Sequence, residues 1–331
     1  LVAGIPADKI VFSGVGKTKE ELTSALNAGV MQINVESVPE LETLNEVAQS
    51  MGMQAPVSIR VNPDVDAKTH AKITTGLSEN KFGIGIAEAQ DVYANGRKMA
   101  GIDLVGVAVH IGSQLLDLTP FKHAYTRVGD LVKTLRADGH NIRRLDLGGG
   151  LGISYEGQET PSPSAYAKVV KEAVGDLGCR IMLEPGRVIA GNAGILVTRV
   201  IYVKEGPTRT FIIVDAAMND LMRPSLYDAH HDIVPVIEPS PNTALIDVDI
   251  VGPICETGDT FGTKRPMPAL KAGDLLAVRT AGAYGAVMSG TYNTRPLVPE
   301  ILIRGGDYTV VRRRLSVDDM LAMEALPDWG N

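Results

Sequence analysis

Leu145-Asp146-Leu147-Gly148-Gly149-Gly150-Leu151-Gly152-Ile153 and Ile181-Met182-Leu183-Glu184-Pro185-Gly186-Arg187 are two short apolar strands that each run into glycine. The first ends in bare backbone. The second ends in backbone plus one acid and one guanidinium. Such a pair can cradle a phosphate on N–H groups and set a carboxylate and an arginine beside it. A phosphorylated cofactor with a ring nitrogen requires that combination.

Working outward, apolar strand candidates recur at 10–13, 31–35, 56–61, 104–110, 144–147 and 180–183, with helical patterns between most of them. Thr18-Lys19-Glu20-Glu21 is a capping box ahead of Leu22, Ala25 and Leu26 on one face. Ser37-Val38-Pro39-Glu40 repeats the device ahead of Leu41, Leu44 and Val47. Thr119-Pro120 opens another helix and Gly139 closes it. Alternation with short links implies parallel strands joined by right-handed crossovers, and strands apolar throughout are those covered on both faces. This is an α/β pattern of six βα units, where a (β/α)8 barrel has eight. Either the sheet is open and doubly wound, or it is a (β/α)8-type barrel missing its first two βα units. The chain starts without Met, and Leu1-Val2-Ala3-Gly4 reads as the end of a helix in progress. That favours the second alternative, with a piece missing upstream.

From Gly194 the pattern changes. Strand candidates at 195–204, 210–215, 245–251, 275–279 and 298–303 are separated by Gly, Pro and Asp turns, and the next long helical pattern is 316–325. The expected division is therefore 1–192, a partial α/β barrel, and 193–331, a C-terminal β domain. The 331 residues are 44% hydrophobic and 21% charged, an ordinary globular composition. A net charge of -7 argues against nucleic acid as a partner. No apolar run approaches the ~18–20 residues of a membrane span, so no membrane partner is expected. Cys179 and Cys255 lie far apart, which argues against a disulfide framework and fits a reducing cytoplasm.

Strand ends are where reactive groups sit in a parallel barrel. A lone histidine is more often a core residue, but His110 ends a strand and adjoins the Gly112-Ser113 turn. Its imidazole is placed to stack on an aromatic cofactor, and Ser113 to bind a phosphate. Glu184 at a strand end needs a partner such as a protonated pyridine nitrogen, because a buried acid without one is costly. Cys255 stands beside acids in the Gly- and Pro-bounded loop 252–259, unlike an inert core cysteine. The loops 223–228 and 281–285 add Arg223, Tyr227 and Tyr284. His230-His231 lacks further ligands at metal-site spacing, and no metal is expected.

Taken in order, IVFSGVGK (10–17), INVES (33–37), SIRVNPD (58–64), NKFGI (80–84), HIGSQ (110–114), the glycine loop, EPGR (184–187), RPSLYDAHH (223–231), CETGD (255–259) and AGAYG (281–285) resemble the diaminopimelate decarboxylases. These are pyridoxal-phosphate enzymes of the alanine-racemase-like barrel class. The resemblance implies decarboxylation of meso-2,6-diaminopimelate to L-lysine, an amino-acid substrate and a homodimer with shared active sites. By resemblance, His110 stacks on the pyridoxal ring, and Glu184 pairs with its nitrogen. Ser113, Gly148, Gly149, Gly150 and the backbone at Pro185-Gly186 hold the phosphate. Arg187, Arg223, Tyr227 and Tyr284 bind substrate, with Arg187 and Tyr284 also near the cofactor. Glu256 takes the distal ammonium, and Cys255 donates the proton into the partner's site. The family's Schiff-base lysine lies in a Tyr-Ala-x-Lys-Ala-Asn segment that this sequence does not contain, so the expectation is an inactive fragment. The alternatives are an ornithine- or arginine-type decarboxylase of the same fold, or a non-catalytic homologue.

Overall fold

Strand and helix alternate through β1 (Val11–Phe12), α1 (Lys19–Ala28), β2 (Gln32–Val35), α2 (Val38–Ser50), β3 (Ala55–Asn62), β4 (Ile84–Gly85), α3 (Ala89–Gly96), β5 (Ile102–Ala108), α4 (Thr119–Ala137), β6 (Arg144–Asp146), α5 (Pro163–Val174) and β7 (Arg180–Met182). The computed structural model describes residues 1–66 and 81–329, so Asn80 of the NKFGI stretch lies outside the described residues. Two units are separable: Leu1–Gly152 with Glu159–Gly186, and Ile153–Gln158 with Arg187–Asn331.

In the first unit the strands are parallel in the order β1-β2-β3-β5-β6-β7, with β4 on β3. Neighbouring strands lie about 4.8 Å apart, so the edges of a flat sheet of this width would stand roughly 24 Å apart. Ser13 Oγ, just past β1, nevertheless donates to Glu184 Oε1, just past β7, at 3.3 Å. Asn34 of β2 reaches Asp146 of β6 at 2.7 Å across two intervening strands. The sheet is therefore curled, and its carboxyl ends converge.

Local chemistry explains the helices. Thr18 and Glu21 form the expected capping box on α1. The second expected box does not form. Ser37 Oγ does accept the Glu40 N–H at 3.4 Å, but the Glu40 carboxylate turns elsewhere. One oxygen accepts the Glu36 N–H at 2.9 Å, and the other lies 2.6 Å from Lys17 Nζ. The Lys17 side chain is only 2% exposed and also donates to the carbonyls of Gly14 and Asn34. A buried ammonium needs a carboxylate more than an exposed helix end needs a cap. On the outer layer, α4 buries Phe121, Tyr125, Val128 and Val132 against Tyr166 and Val170 of α5. Each such side chain is worth roughly 1.5–3 kcal/mol of burial. The Tyr125 hydroxyl, 2.7 Å from that of Tyr166, also bonds the Leu147 carbonyl at 3.2 Å and so steadies the chain as it leaves β6.

The second unit contains α6 (Arg187–Ala190), β8 (Leu196–Glu205), β9 (Thr210–Val214), α7 (Arg223–Tyr227), β10 (Ile233–Pro235), β11 (Ile246–Val251), β12 (Thr260–Met267), β13 (Leu275–Val278), β14 (Glu300–Arg304), β15 (Asp307–Arg312) and α8 (Val317–Leu321). One sheet runs β10-β13-β8-β9-β11-β12, and β14 pairs with β15. Its core includes Val200, Ile212, Val214, Ile250, Phe261 and Leu276. Four strands were not expected from the sequence: β4 in the first unit, and β10, β12 and β15 in this one. β12 is masked by Gly262, Pro266 and a positive φ of 51° at Lys264, where the ladder shifts register. β10 has three residues, too few to show alternation. β15 follows a Gly305-Gly306 turn, a hairpin signal that the sequence does offer. The helix expected at 316–325 stops at Leu321, because Met320 is its one buried side chain and little packing offsets the cost of helix formation.

Lys17→Ala strands the Glu40 carboxylate in a site 8% exposed and should cost about 3–5 kcal/mol in urea unfolding, whereas the paired apolar replacement Lys17→Met with Glu40→Leu should recover most of it. Equal midpoints for Lys17→Ala and the unsubstituted protein would remove the pair from the stability of the first unit.

Candidate active site

The carboxyl ends of the curled sheet gather polar side chains around a cavity of about 100 Å³ lined by Ser13, Asn34, Arg60, His110, Asp146 and Glu184. Asp146, 1% exposed, accepts the Asn34 amide on one oxygen at 2.7 Å and the Gly148 N–H on the other at 3.0 Å. Burial raises its pKa above the ordinary carboxylate value, against those hydrogen bonds. Glu184 is exposed by surface area, yet its pKa is raised too, by desolvation on its inner side first and then by the charge of Asp146. Arg60 bonds Glu36 at 2.7 Å, so its charge is already partnered.

His110 follows β5. Its Nδ1 accepts the Gly149 N–H at 3.2 Å, which leaves any ring proton on Nε2. Burial, then the Arg60 charge, push its pKa down to about 4, so the ring is a neutral plane. The glycine loop after β6 must be glycine on steric grounds. Gly148 and Gly150 have φ of 66° and 106°, and a Cβ on Gly149 would lie 2.2 Å from the Glu184 carbonyl. The Gly148 and Gly149 N–H groups are used within the protein. Those of Gly150 and Gly186 have no acceptor among the described residues. This donor set fits a phosphorylated ring. Two accessible backbone N–H groups could hold an anion, and a carboxyl held above its usual pKa would be relieved by a cationic ring nitrogen.

The second unit carries the arginines. Arg187 and Arg223 are 5% and 6% exposed. The Arg187 guanidinium lies 5.1 Å from the Tyr284 ring centroid and donates to the Tyr155 hydroxyl at 2.7 Å. Arg223 bonds His231 Nε2 at 2.7 Å, and its pKa is lowered, chiefly by burial. Tyr227 follows on α7 and interacts electrostatically with Arg223. Cys255 and Glu256 project into solvent from a loop folded around Asp259, whose carboxylate accepts the N–H groups of Ile254 and Met218, each at 2.7 Å. Ser225 of α7 ties down that loop through the Gly258 carbonyl at 2.6 Å, and Tyr292 donates to Glu256 at 2.8 Å.

The structure thus brings His110, Glu184 and the glycine loop together in one unit, and Arg187, Arg223 and Tyr284 in the other. Ser113 lies half-buried in the turn after His110, and Pro185 is exposed beside Gly186. Sequence reasoning missed Asp146, Asn34 and Tyr155. His231 is an arginine partner rather than a metal ligand, and His230 bonds Asp232 at 2.9 Å. Among the described residues no cluster of three or more His, Cys, Asp and Glu could hold a metal, and no helix is long and apolar enough to cross a membrane.

Comparison with known proteins gives consistent similarities. Residues 1–191 match the pyridoxal-dependent decarboxylase family, pyridoxal binding domain. Diaminopimelate decarboxylase of Zymomonas mobilis is 48% identical over 329 residues, 99% of this chain and 77% of that protein. The crystal structure of diaminopimelate decarboxylase from Helicobacter pylori complexed with L-lysine superposes with a TM-score of 0.93 at 44% identity, over 97% of this chain and 80% of that one. Arginine decarboxylase of Paramecium bursaria Chlorella virus, at 20% identity, 88% of this chain and 76% of that one, and a TM-score of 0.78, shares the fold alone. The expectation of an inactive fragment draws no support from these similarities.

The lowered pKa of His110 sets a pH dependence. Its folded value, about 4, lies below the ordinary 6.5, so the unfolded chain takes up the proton first. Its contribution to stability is complete above pH 6.5 and is lost as pH falls toward 4. The urea midpoint should decline over that window less steeply in His110→Gln, and ring NMR should show His110 neutral at pH 6. Protonation of His110 near its ordinary value would contradict the assignment.

Proposed function

Because the chain belongs to the diaminopimelate decarboxylase family of pyridoxal-dependent enzymes, we propose that it converts meso-2,6-diaminopimelate to L-lysine and carbon dioxide with pyridoxal 5'-phosphate as cofactor. The reaction is the last step of lysine biosynthesis. The observation that carries the reading is the Glu184 carboxyl, held above its ordinary pKa beside Asp146 and next to a glycine loop with unused N–H donors. Bound pyridoxal phosphate supplies an electron sink for the carbanion left by the departing carboxylate.

The protein's part is division of labour. Glu184 accepts the proton-bearing ring nitrogen and keeps it charged, which lowers its own raised pKa. His110 offers a flat neutral face that adds no competing charge. Ser113 and the glycine loop Gly148–Gly150 hold the phosphate, with the N–H groups of Gly150 and of Gly186, after Pro185, as the available backbone donors. Arg187, Arg223, Tyr227 and Tyr284 bind the substrate, and Glu256 takes its distal ammonium. The Cys255 thiol donates the proton to the carbon that lost its carboxylate. In this reading the first unit is the cofactor-binding domain, and β1, β2, β3, β5, β6 and β7 of its sheet are six strands of a (β/α)8-type barrel. The second is the β domain with the substrate and proton-donor loops. The exposed position of Cys255 supports its service to the site of a second subunit in a homodimer. Two free cysteines fit a cytoplasmic setting.

The test is turnover by the purified protein. The protein should release carbon dioxide from meso-diaminopimelate faster than from ornithine, and Glu184→Gln should bind cofactor yet lose roughly 10²-fold or more in kcat, because an amide cannot stabilise the ring charge. Faster turnover of ornithine would sink the substrate assignment. Sharing between subunits has its own check. Cys255→Ala chains mixed with Glu184→Ala chains, under conditions of subunit exchange, should regain up to about a quarter of the activity, since half of random dimers then carry one intact site of two. Absence of any recovery would place Cys255 in its own subunit's site.

A further inference from the structure

Tyr155 belongs to none of the motifs that carry the family resemblance, yet it is the residue around which the buried arginines are arranged. It lies in Ile153–Gln158, a short stretch that belongs to the second unit although the chain on both sides belongs to the first. The stretch is tightly held. The Gln158 side-chain carbonyl accepts Ser154 Oγ at 3.3 Å, the Tyr155 N–H at 3.0 Å and the Glu156 N–H at 2.9 Å. Ile153 packs onto Gly191 so closely that a Cβ there would lie 2.2 Å from its Cδ1.

The Tyr155 ring has Arg223 above it at 4.6 Å from the centroid and Arg187 at 5.9 Å. Its hydroxyl accepts from Arg187 at 2.7 Å and donates to the Ala283 carbonyl at 3.3 Å. His231 completes the arrangement. It meets the ring edge-on at 5.4 Å, donates from Nδ1 to the Arg279 carbonyl at 2.8 Å, and accepts Arg223 on Nε2 at 2.7 Å. Two like charges are thus buried together, which opposes folding unless something compensates. Arg223 has no carboxylate partner among the described residues. An aromatic face and a neutral imidazole hold a guanidinium without neutralising it. A guanidinium kept cationic in this way is complementary to a carboxylate ligand.

We propose that Tyr155 is a positioning residue that sets Arg187 and Arg223 as a paired receptor for the carboxylate the substrate retains, and that it thereby selects amino acids bearing a second carboxylate over simple diamines. The proposal rests on the decarboxylase reading. It is tested by binding rather than turnover, with two ligands that share a carbon chain: L-lysine, which keeps one carboxylate, and 1,5-diaminopentane, which has none. The unsubstituted full-length protein should bind lysine more than tenfold tighter than the diamine. Tyr155→Leu should weaken lysine roughly tenfold and leave the diamine within about twofold, because ring and hydroxyl are both lost. Tyr155→Phe keeps the ring and should weaken lysine only about fivefold, the worth of one hydrogen bond. Equal weakening of both ligands would mean a merely structural tyrosine and would overturn the proposal. A lysine preference retained in Tyr155→Leu overturns the proposal alone, whereas no lysine preference in the unsubstituted protein overturns it together with the carboxylate-binding reading beneath it.

Discussion

Asp146 is the constraint on which the carboxyl end of the curled sheet depends. It ends β6, is almost wholly buried, and spends its oxygens on the Asn34 amide of β2 and the N–H of Gly148. Its backbone carbonyl accepts the Val109 N–H at 2.8 Å, which places His110 one residue on. One residue therefore registers two distant strands and the first turn of the glycine loop through its side chain, and the start of the His110 turn through its backbone carbonyl. The cost is electrostatic. Glu184, whose pKa is raised first by burial, is raised further by the charge of Asp146. A geometric anchor and an electrostatic bias come from the same carboxylate.

The second unit uses the same device. Asp259 is buried at the entrance to β12 and accepts two backbone N–H groups, one from its own loop and one from Met218. A Cβ on Gly252 would lie 2.3 Å from that carboxylate, so the loop closes only with glycine there. Cys255 and Glu256 stay exposed on a loop whose backbone is fixed. An exposed thiol on a loop held in this way keeps its reach while losing little freedom on engagement. Both anchors are raised in pKa by burial. In each case the backbone hydrogen bonds are worth more to the site than a free carboxylate would be.

Much of the first unit was legible because its information is local. Apolar runs, the Thr18 cap, Pro120 near the start of α4 and glycines at strand ends each act within a few residues. The strand ends also named His110, Glu184 and the glycine loop. What was not legible is long-range. Asn34 and Asp146 meet across 112 positions, and nothing near either announces the other. Glu40 looked like a cap until a buried lysine was found beside it. Tyr155 has no signal of its own, since its importance comes from two arginines and a histidine supplied by other segments of the chain. In the second unit, β12 carries a bulge, Gly and Pro, and β10 is too short for any period to appear. Those strands exist because partners complete their ladders, a tertiary effect that propensity does not contain.

The residues that carry the proposed chemistry are also those the fold holds at a cost. In the first unit, two carboxyls are raised by burial, and Glu184 further by the charge of Asp146. In the second, a buried guanidinium is lowered by burial and by a like charge, with only neutral groups in contact. Each shift means that the charged form is less stable in the fold than in water. A ligand that brings the opposite charge reverses the penalty, so part of its binding energy is relief of strain already present in the protein. Opposite demands fall on the two units: the carboxylates call for a cation, the arginines for an anion. Under the proposed function, a cofactor with a protonated ring would answer the first demand and a substrate carboxylate the second. A simple diamine or a simple dicarboxylate answers only one of them. Within each unit, selectivity would arise from leaving the wrong ligand's counterpart charge buried and unmatched, as much as from contacts made to the right one.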